Sequence, residues 1–169
     1  QKIDKTIMFG GGKVEVRLTG DYFDQSLAAA QAYCIGAGAH FLSPFDDADV
    51  IEGQASVAVE IMAQLTAAPD LVILPVGGGG LSAGVTTYLA DTSPGTKFRF
   101  VEPAGGASLR SALNAGTPVT LRRVNSFVDG AAVARVGDLT FARLKGVDSR
   151  HILLAPEDIR GVEKFMYDR

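Results

Sequence analysis

Asp70-Leu71-Val72-Ile73-Leu74-Pro75-Val76-Gly77-Gly78-Gly79-Gly80-Leu81-Ser82-Ala83-Gly84 decides how this 169-residue chain is read. The apolar run with Val72, Ile73 and Val76 predicts a buried parallel strand, four glycines interrupt it at once, and a helix-length segment follows to about Asp91. At such a junction the first N–H groups of the helix lack intrahelical acceptors and the helix dipole adds partial positive charge. An anion is then held without any basic side chain. Glycine removes the Cβ that would shield those amides and permits positive φ, so several of them converge on one phosphate. A flexible linker is the weaker reading, because linkers are flanked by polar residues and this run lies between an apolar strand and a small-residue helix. A dinucleotide fold is the sharper rival. Gly78, Gly80 and Ala83 fit G-x-G-x-x-G/A, and Glu102 closes the next strand about twenty residues on, where it would bind a ribose hydroxyl.

Upstream, Val14-Glu15-Val16-Arg17-Leu18 alternates as a short strand does, after Gly10-Gly11-Gly12. Asp21 or Asp24 caps a helix on which Phe23, Leu27, Ala30, Tyr33 and Cys34 recur at helical spacing until Gly36 and Gly38 end it. His40-Phe41-Leu42 reads as a brief strand, which makes residues 14–42 a βαβ fragment. Val50, Val57, Ile61 and Leu65 lie on one face of a helix from about Asp49 to Thr66, with Gln54 near its start, capping locally or facing a cleft. Downstream, Lys97 to Pro103 is the next parallel strand and Ala107 to Ala115 a helix closed by Gly116. Thr117 to Val128 has little periodicity and reads as a long surface loop. Asp138 caps a helix from Leu139 to about Lys145, and Ile152-Leu153-Leu154 is a final strand before a helix started by Pro156. Alternating strands and helices predict an α/β architecture with mostly parallel sheet flanked by helices.

Composition narrows the function classes. Hydrophobic residues make up 47% of the chain, enough for a substantial core, and a formal net charge of -3 supplies no basic field for nucleic acid or anionic lipid. No apolar run approaches the roughly twenty residues of a membrane span, and the N-terminus lacks the layout of a secretory signal, so the expected compartment is cytoplasmic. The single Cys34 forms no internal disulfide and reads as a buried core thiol rather than a nucleophile. His40 has no second His or Cys at ligand-like spacing and reads as a structural hydrogen-bonding residue, so no metal site is expected. The chain opens at Gln1 without an initiator Met and closes at Tyr167-Asp168-Arg169 inside a helical pattern, so both ends read as cut.

Several stretches taken together resemble one family over nearly the whole chain. They are Ser43-Pro44-Phe45-Asp46-Asp47 leading into Val50-Ile51-Glu52-Gly53-Gln54, Pro75 through Gly84, Val128-Asp129-Gly130-Ala131-Ala132-Val133, and Gly137-Asp138-Leu139-Thr140-Phe141. Their order and spacing resemble the threonine dehydratases, biosynthetic threonine ammonia-lyases of fold-type II that use pyridoxal 5′-phosphate. By that resemblance Gly77, Gly78, Gly79, Gly80 and Leu81 form the loop whose backbone amides bind the cofactor phosphate, and Gly130 lies with its backbone beside the cofactor ring. Gly53-Gln54-Ala55-Ser56 departs from the family's Gly-Gln-Gly-Thr. The implied architecture is tryptophan synthase β-like and incomplete at both ends, with 1–50 the second half of the small domain and 51–169 most of the large, cofactor-phosphate-binding domain.

The resemblance also implies the chemistry of the intact enzyme. A Schiff-base lysine removes the α-proton of threonine, the cofactor ring holds the resulting charge, hydroxide leaves Cβ, and 2-oxobutanoate and ammonia follow as the first step of isoleucine biosynthesis. The enzyme would be a cytoplasmic homo-oligomer acting on a small-molecule amino acid. The family's lysine in a Ser-Phe-Lys-like setting, its ring-binding asparagine and serine, and its regulatory domain are absent from these residues. The six lysines sit in polar or element-end contexts, so no catalytic residue is expected in this chain. The rival functions are a nicotinamide-dependent oxidoreductase domain built on Glu102 and a non-catalytic interaction module in which the glycine run is only a tight turn.

Overall fold

The computed structural model describes residues 2–155 apart from 22, 126, 129 and 148, and they fall into two compact units that divide between Phe41 and Leu42. The first unit carries α1 (Lys2–Gly10) and α2 (Phe23–Ala37). Gly38, at φ 62, takes the left-handed conformation that stops α2 where the glycines predict. The expected strands at Val14–Leu18 and His40–Leu42 do not form, and with them goes the βαβ fragment. An extended segment becomes a strand only when a neighbour completes its ladder bonds. Val14 and Leu18, 45% and 74% exposed, find no such neighbour among the described residues of this unit. Cys34 is half-buried rather than in a core, its Sγ 3.7 Å from the carbonyl oxygen of His40. No described residue of the unit is fully buried, so there is no core for the thiol to join.

The second unit runs α3 (Ala48–Gln54), α4 (Ser56–Gln64), β1 (Leu71–Pro75), α5 (Gly80–Thr92), β2 (Lys97–Pro103), α6 (Ser108–Ala115), α7 (Asp138–Leu144) and β3 (Ile152–Ala155). Its three described strands are parallel in the order β1-β2-β3, with Leu71 opposite Lys97 and Phe100 opposite Ile152. Parallel neighbours need long crossovers, and α5 supplies the one from β1 to β2. The expected α/β architecture with parallel sheet is therefore present, cored by Leu74, Val76, Val85, Leu89, Phe100 and Leu109. β1 differs from expectation in one respect: it is an edge of the described sheet, and alternate residues Leu71 and Ile73 are exposed while Leu74 is buried.

The helix expected over 49–66 is two helices. Its break is at Ala55, whose N–H is shared between the carbonyls of Ile51 and Glu52 at 3.3 and 3.0 Å. Gly84 of α5 lies against that break, where a Cβ would come within 2.8 Å of the Ala55 nitrogen, so the two helices pack backbone to backbone. Gly116, at φ 74, closes α6, and the described part of 117–128 is irregular, both as the sequence predicts. The helix read from Pro156, and Asp129 of the segment around Gly130, lie outside the described residues.

Candidate functional site

Between the end of β1 at Pro75 and the start of α5 at Gly80, the residues Val76 to Gly79 turn the chain from strand to helix. Gly79 is the residue before the helix and sits at φ 94, a conformation strained for any residue with a Cβ. Among the described residues no side chain is seen to cap α5, and the N–H groups of Gly80, Leu81 and Ser82 in its first turn have no acceptor within the helix. The acceptors of the turn, in contrast, are tied down. The Ser108 hydroxyl donates to the Gly77 carbonyl at 3.4 Å, and the Gly78 carbonyl accepts the Thr140 hydroxyl at 2.8 Å and the Gly137 N–H at 3.2 Å. Gly79 accepts from the Ala83 N–H at 2.8 Å, and the Ser82 hydroxyl returns to the Pro75 carbonyl at 3.1 Å. The loop is thus fixed through its carbonyls, and its main-chain donors lie at the positive end of a helix dipole.

The glycines also make room. The ring of Phe45 fills the space where a Cβ on Gly78 would stand, and its backbone lies 3.2 Å from the Cβ position of Gly80. A Cβ on Gly77 would meet the Ala131 Cα at 3.1 Å and the Gly130 carbonyl oxygen at 3.5 Å. Gly77 and Gly130, named together from the sequence although far apart in it, are therefore neighbours. Gly130 itself is exposed, with open space where its Cβ would be.

Three other helix starts in this unit are closed by carboxylates. Asp47 accepts the N–H groups of Asp49 and Val50 at 2.9 and 3.2 Å at the start of α3. Glu102, fully buried, spends one oxygen on the Leu109 N–H at 2.7 Å and the other on the Arg110 N–H at 2.9 Å, capping α6. Burial pushes its carboxyl above the ordinary glutamate range, against the opposing pull of the Arg110 and Leu109 amides. A Glu102 so engaged has no oxygen for a ribose, which removes the basis of the dinucleotide reading. At α7 the expected cap, Asp138, is instead the first residue of the helix, paired with Arg135 at 2.7 Å. The cap comes from Asp46, which accepts from the N–H groups of Asp138 at 2.9 Å, Leu139 at 2.8 Å and Thr140 at 3.3 Å. Nothing in the sequence spacing announces that contact, which spans 92 residues.

A cavity of about 380 Å³ lies one turn further along α5, lined by Ile51, Glu52, Gly84, Tyr88, Leu139 and Arg143 and touching no residue of the glycine loop. Among the described residues no group of three or more His, Cys, Asp or Glu is placed to hold a metal, and no helix is long and apolar enough to cross a membrane.

Parallel α/β layering with a glycine turn at the carboxyl end of a strand and an uncapped helix start defines a class of proteins that bind anionic groups at that end of the sheet. The model of the pyridoxal-phosphate dependent enzyme family matches residues 1–168, and the chain belongs to that family. It is 45% identical over 161 residues to a protein of Corynebacterium glutamicum named L-threonine dehydratase biosynthetic IlvA, covering 93% of this chain and 37% of that one. To the protein of the same name from Mycobacterium bovis it is 49% identical over 144 residues, covering 85% of this chain and 34% of that one. The chain thus spans little more than a third of the length of these curated relatives. Among solved structures, the processed form of threonine deaminase isoform 2 from Solanum lycopersicum superposes with a TM-score of 0.82 at 40% identity, over 92% of this chain and 44% of that one.

Proposed function

We propose that this chain supplies the cofactor-phosphate cradle of a pyridoxal-phosphate dependent threonine dehydratase, which converts threonine to 2-oxobutanoate and ammonia. The observation that carries the proposal is the open start of α5 at a glycine turn, whereas α3, α6 and α7 are closed by carboxylates and α4 continues from α3 through Ala55. A phosphate brings acceptor oxygens and negative charge, which is the complement of free N–H groups at the positive end of a helix. In this reading the main-chain N–H groups of Gly77, Gly78, Gly79, Gly80 and Leu81 hold the phosphate, and the backbone of Gly130 lies beside the ring. Membership of the family and the names of the relatives support it. We assign 1–50 to the second half of a smaller domain and 51–169 to most of a larger one.

Bound there, the cofactor supplies an electron sink for the charge left on Cα when the α-proton departs. The part played by this chain is to bind and orient. Lys2, Lys5, Lys13, Lys97 and Lys145 are all exposed, whereas a lysine that joins a carbonyl and moves a proton needs a pocket that lowers its pKa.

Phosphate or pyridoxal phosphate raises the melting temperature of the chain in this reading, and NAD does not. Leu81→Glu places a carboxylate on the first turn of α5 and abolishes the phosphate effect, while Leu81→Gln, of similar size, keeps it. Gly130→Ala enters open space, changes stability by less than about 0.5 kcal/mol, and weakens pyridoxal phosphate more than inorganic phosphate. No phosphate effect in the parent chain, or an undiminished one in Leu81→Glu, overturns the assignment.

A further inference from the structure

The segment from Ser43 to Asp47 touches the glycine loop twice, once directly and once through a helix. Directly, the Phe45 ring stands where Gly78 has no Cβ. Indirectly, the Asp46 carboxylate gathers the N–H groups of Asp138, Leu139 and Thr140, while the Ser43 hydroxyl accepts the Asp46 N–H at 2.9 Å. Those contacts set the start of α7, and with it the Gly137 N–H and Thr140 hydroxyl that together hold the Gly78 carbonyl. Thr140 is fully buried, so if α7 shifts its hydroxyl has no water to turn to, only the Gly137 carbonyl of its own turn at 3.1 Å. A peptide plane whose carbonyl is held by two donors has its own N–H, here that of Gly79, fixed with it. The chain of contacts therefore runs from Asp46, through α7 and Thr140, to the direction in which the Gly79 amide points.

We infer that Asp46 is a positioning residue for the phosphate-binding loop, acting through Thr140 and Gly137 rather than by touching the bound group. The inference rests on the proposed function for its ligand and on the hydrogen bonds above for its route. Its sign is distinctive. A carboxylate near an anion site repels the anion, so removing it without other consequence tightens phosphate binding. A cap that only stabilises the fold leaves affinity unchanged well below the melting temperature. A positioning residue weakens binding when removed.

The test measures inorganic phosphate binding to the 169-residue chain by phosphorus NMR at low temperature, together with amide shifts across Gly77 to Ser82. Asp46→Ala is expected to weaken phosphate about fivefold, the equivalent of one lost hydrogen bond. Asp46→Asn, which keeps one acceptor oxygen, falls between Asp46→Ala and the parent. Thr140→Val is expected to lose a similar factor, and the Asp46→Ala, Thr140→Val double variant little more than either alone, because both cut one route. Gly137→Ala is an independent approach. Gly137 has an ordinary φ of -65, yet its new Cβ would fall on the Asp46 carboxylate, displacing it with the charge retained. It is expected to shift the Gly78 to Gly80 amides as Asp46→Ala does. Unchanged or tighter binding in Asp46→Ala, fully additive losses, or unmoved loop amides in both variants overturn the inference. If the parent chain takes up no phosphate, the proposed function fails while the amide shifts still decide whether Asp46 controls the loop.

Discussion

Glu102 offers the sharpest energetic prediction, because a fully buried carboxylate has been put to work on two backbone amides instead of on a ligand. Replacing it by alanine leaves the Leu109 and Arg110 N–H groups without those acceptors in a region where Ser108 and Leu109 are themselves buried. Each stranded donor costs about 1–3 kcal/mol, and relief from burying a carboxylate returns part of the sum, for a net loss of about 2–4 kcal/mol. At about 2–4 °C per kcal/mol for a chain of this size, the melting temperature falls by about 5–15 °C. Glu102→Gln keeps one acceptor and turns an NH2 toward the other amide, so it destabilises less. The pH dependence has a definite sign. Burial raises the folded-state pKa of Glu102 above its ordinary value of 4.5, so the folded chain binds a proton the unfolded chain has already released. The stability contributed by that protonated form is complete below 4.5 and is lost as pH rises through the raised value. Denaturant titrations of the parent and Glu102→Gln across that range should therefore show the parent's advantage shrinking as pH increases. A melting temperature unmoved by Glu102→Ala would falsify the cap and reopen Glu102 as a ligand-binding group, whereas parallel pH profiles would mean that the two amide hydrogen bonds offset the effect of burial.

Two further outcomes are expected. Gly79→Ala forces a Cβ into the left-handed region at φ 94 and to 3.0 Å from Thr140, so thermal unfolding should report a loss of about 1–3 kcal/mol; an unchanged melting temperature would mean the turn is built differently. The chain by itself, given pyridoxal phosphate and threonine, should form no 2-oxobutanoate and show no single stoichiometric lysine adduct after borohydride trapping; enzyme-like turnover would mean that one of its six lysines is the missing base.

What was legible in the sequence was local. The passage from β1 through the glycines into α5 was readable because periodicity and glycine punctuation act within a few residues, and α6 ended at Gly116 for the same reason. Longer contacts left no such trace. Asp138 lies where a cap belongs, but the oxygen that caps α7 comes from Asp46, far away in the chain. Val14–Leu18 has the alternation of a strand and finds no partner strand among the described residues, since period two reports a preference that only a neighbouring strand can realise. The division of 49–66 at Ala55 follows from the approach of Gly84, a tertiary contact that helical periodicity on either side does not encode.

Apart from α4, which continues from α3 through Ala55, the described helices of this unit start in two ways, and the difference gives the fold its electrostatic direction. Asp47, Glu102 and Asp46 place negative charge on the amides of α3, α6 and α7, so the partial positive charge of each is spent within the protein. At α5 the sequence offers glycine where a capping side chain would stand, and the surroundings hold the carbonyls of the turn instead of its amides. In the proposed reading an anion is drawn to the α5 start, which follows a glycine turn at the end of β1 rather than another helix, as the start of α4 does. The carboxylate that closes α7 also orders the residues gripping Gly78, so the same side chain removes a competing anion site and shapes the remaining one. Selectivity for position thus comes from where the acids are, and affinity from where an acid is missing.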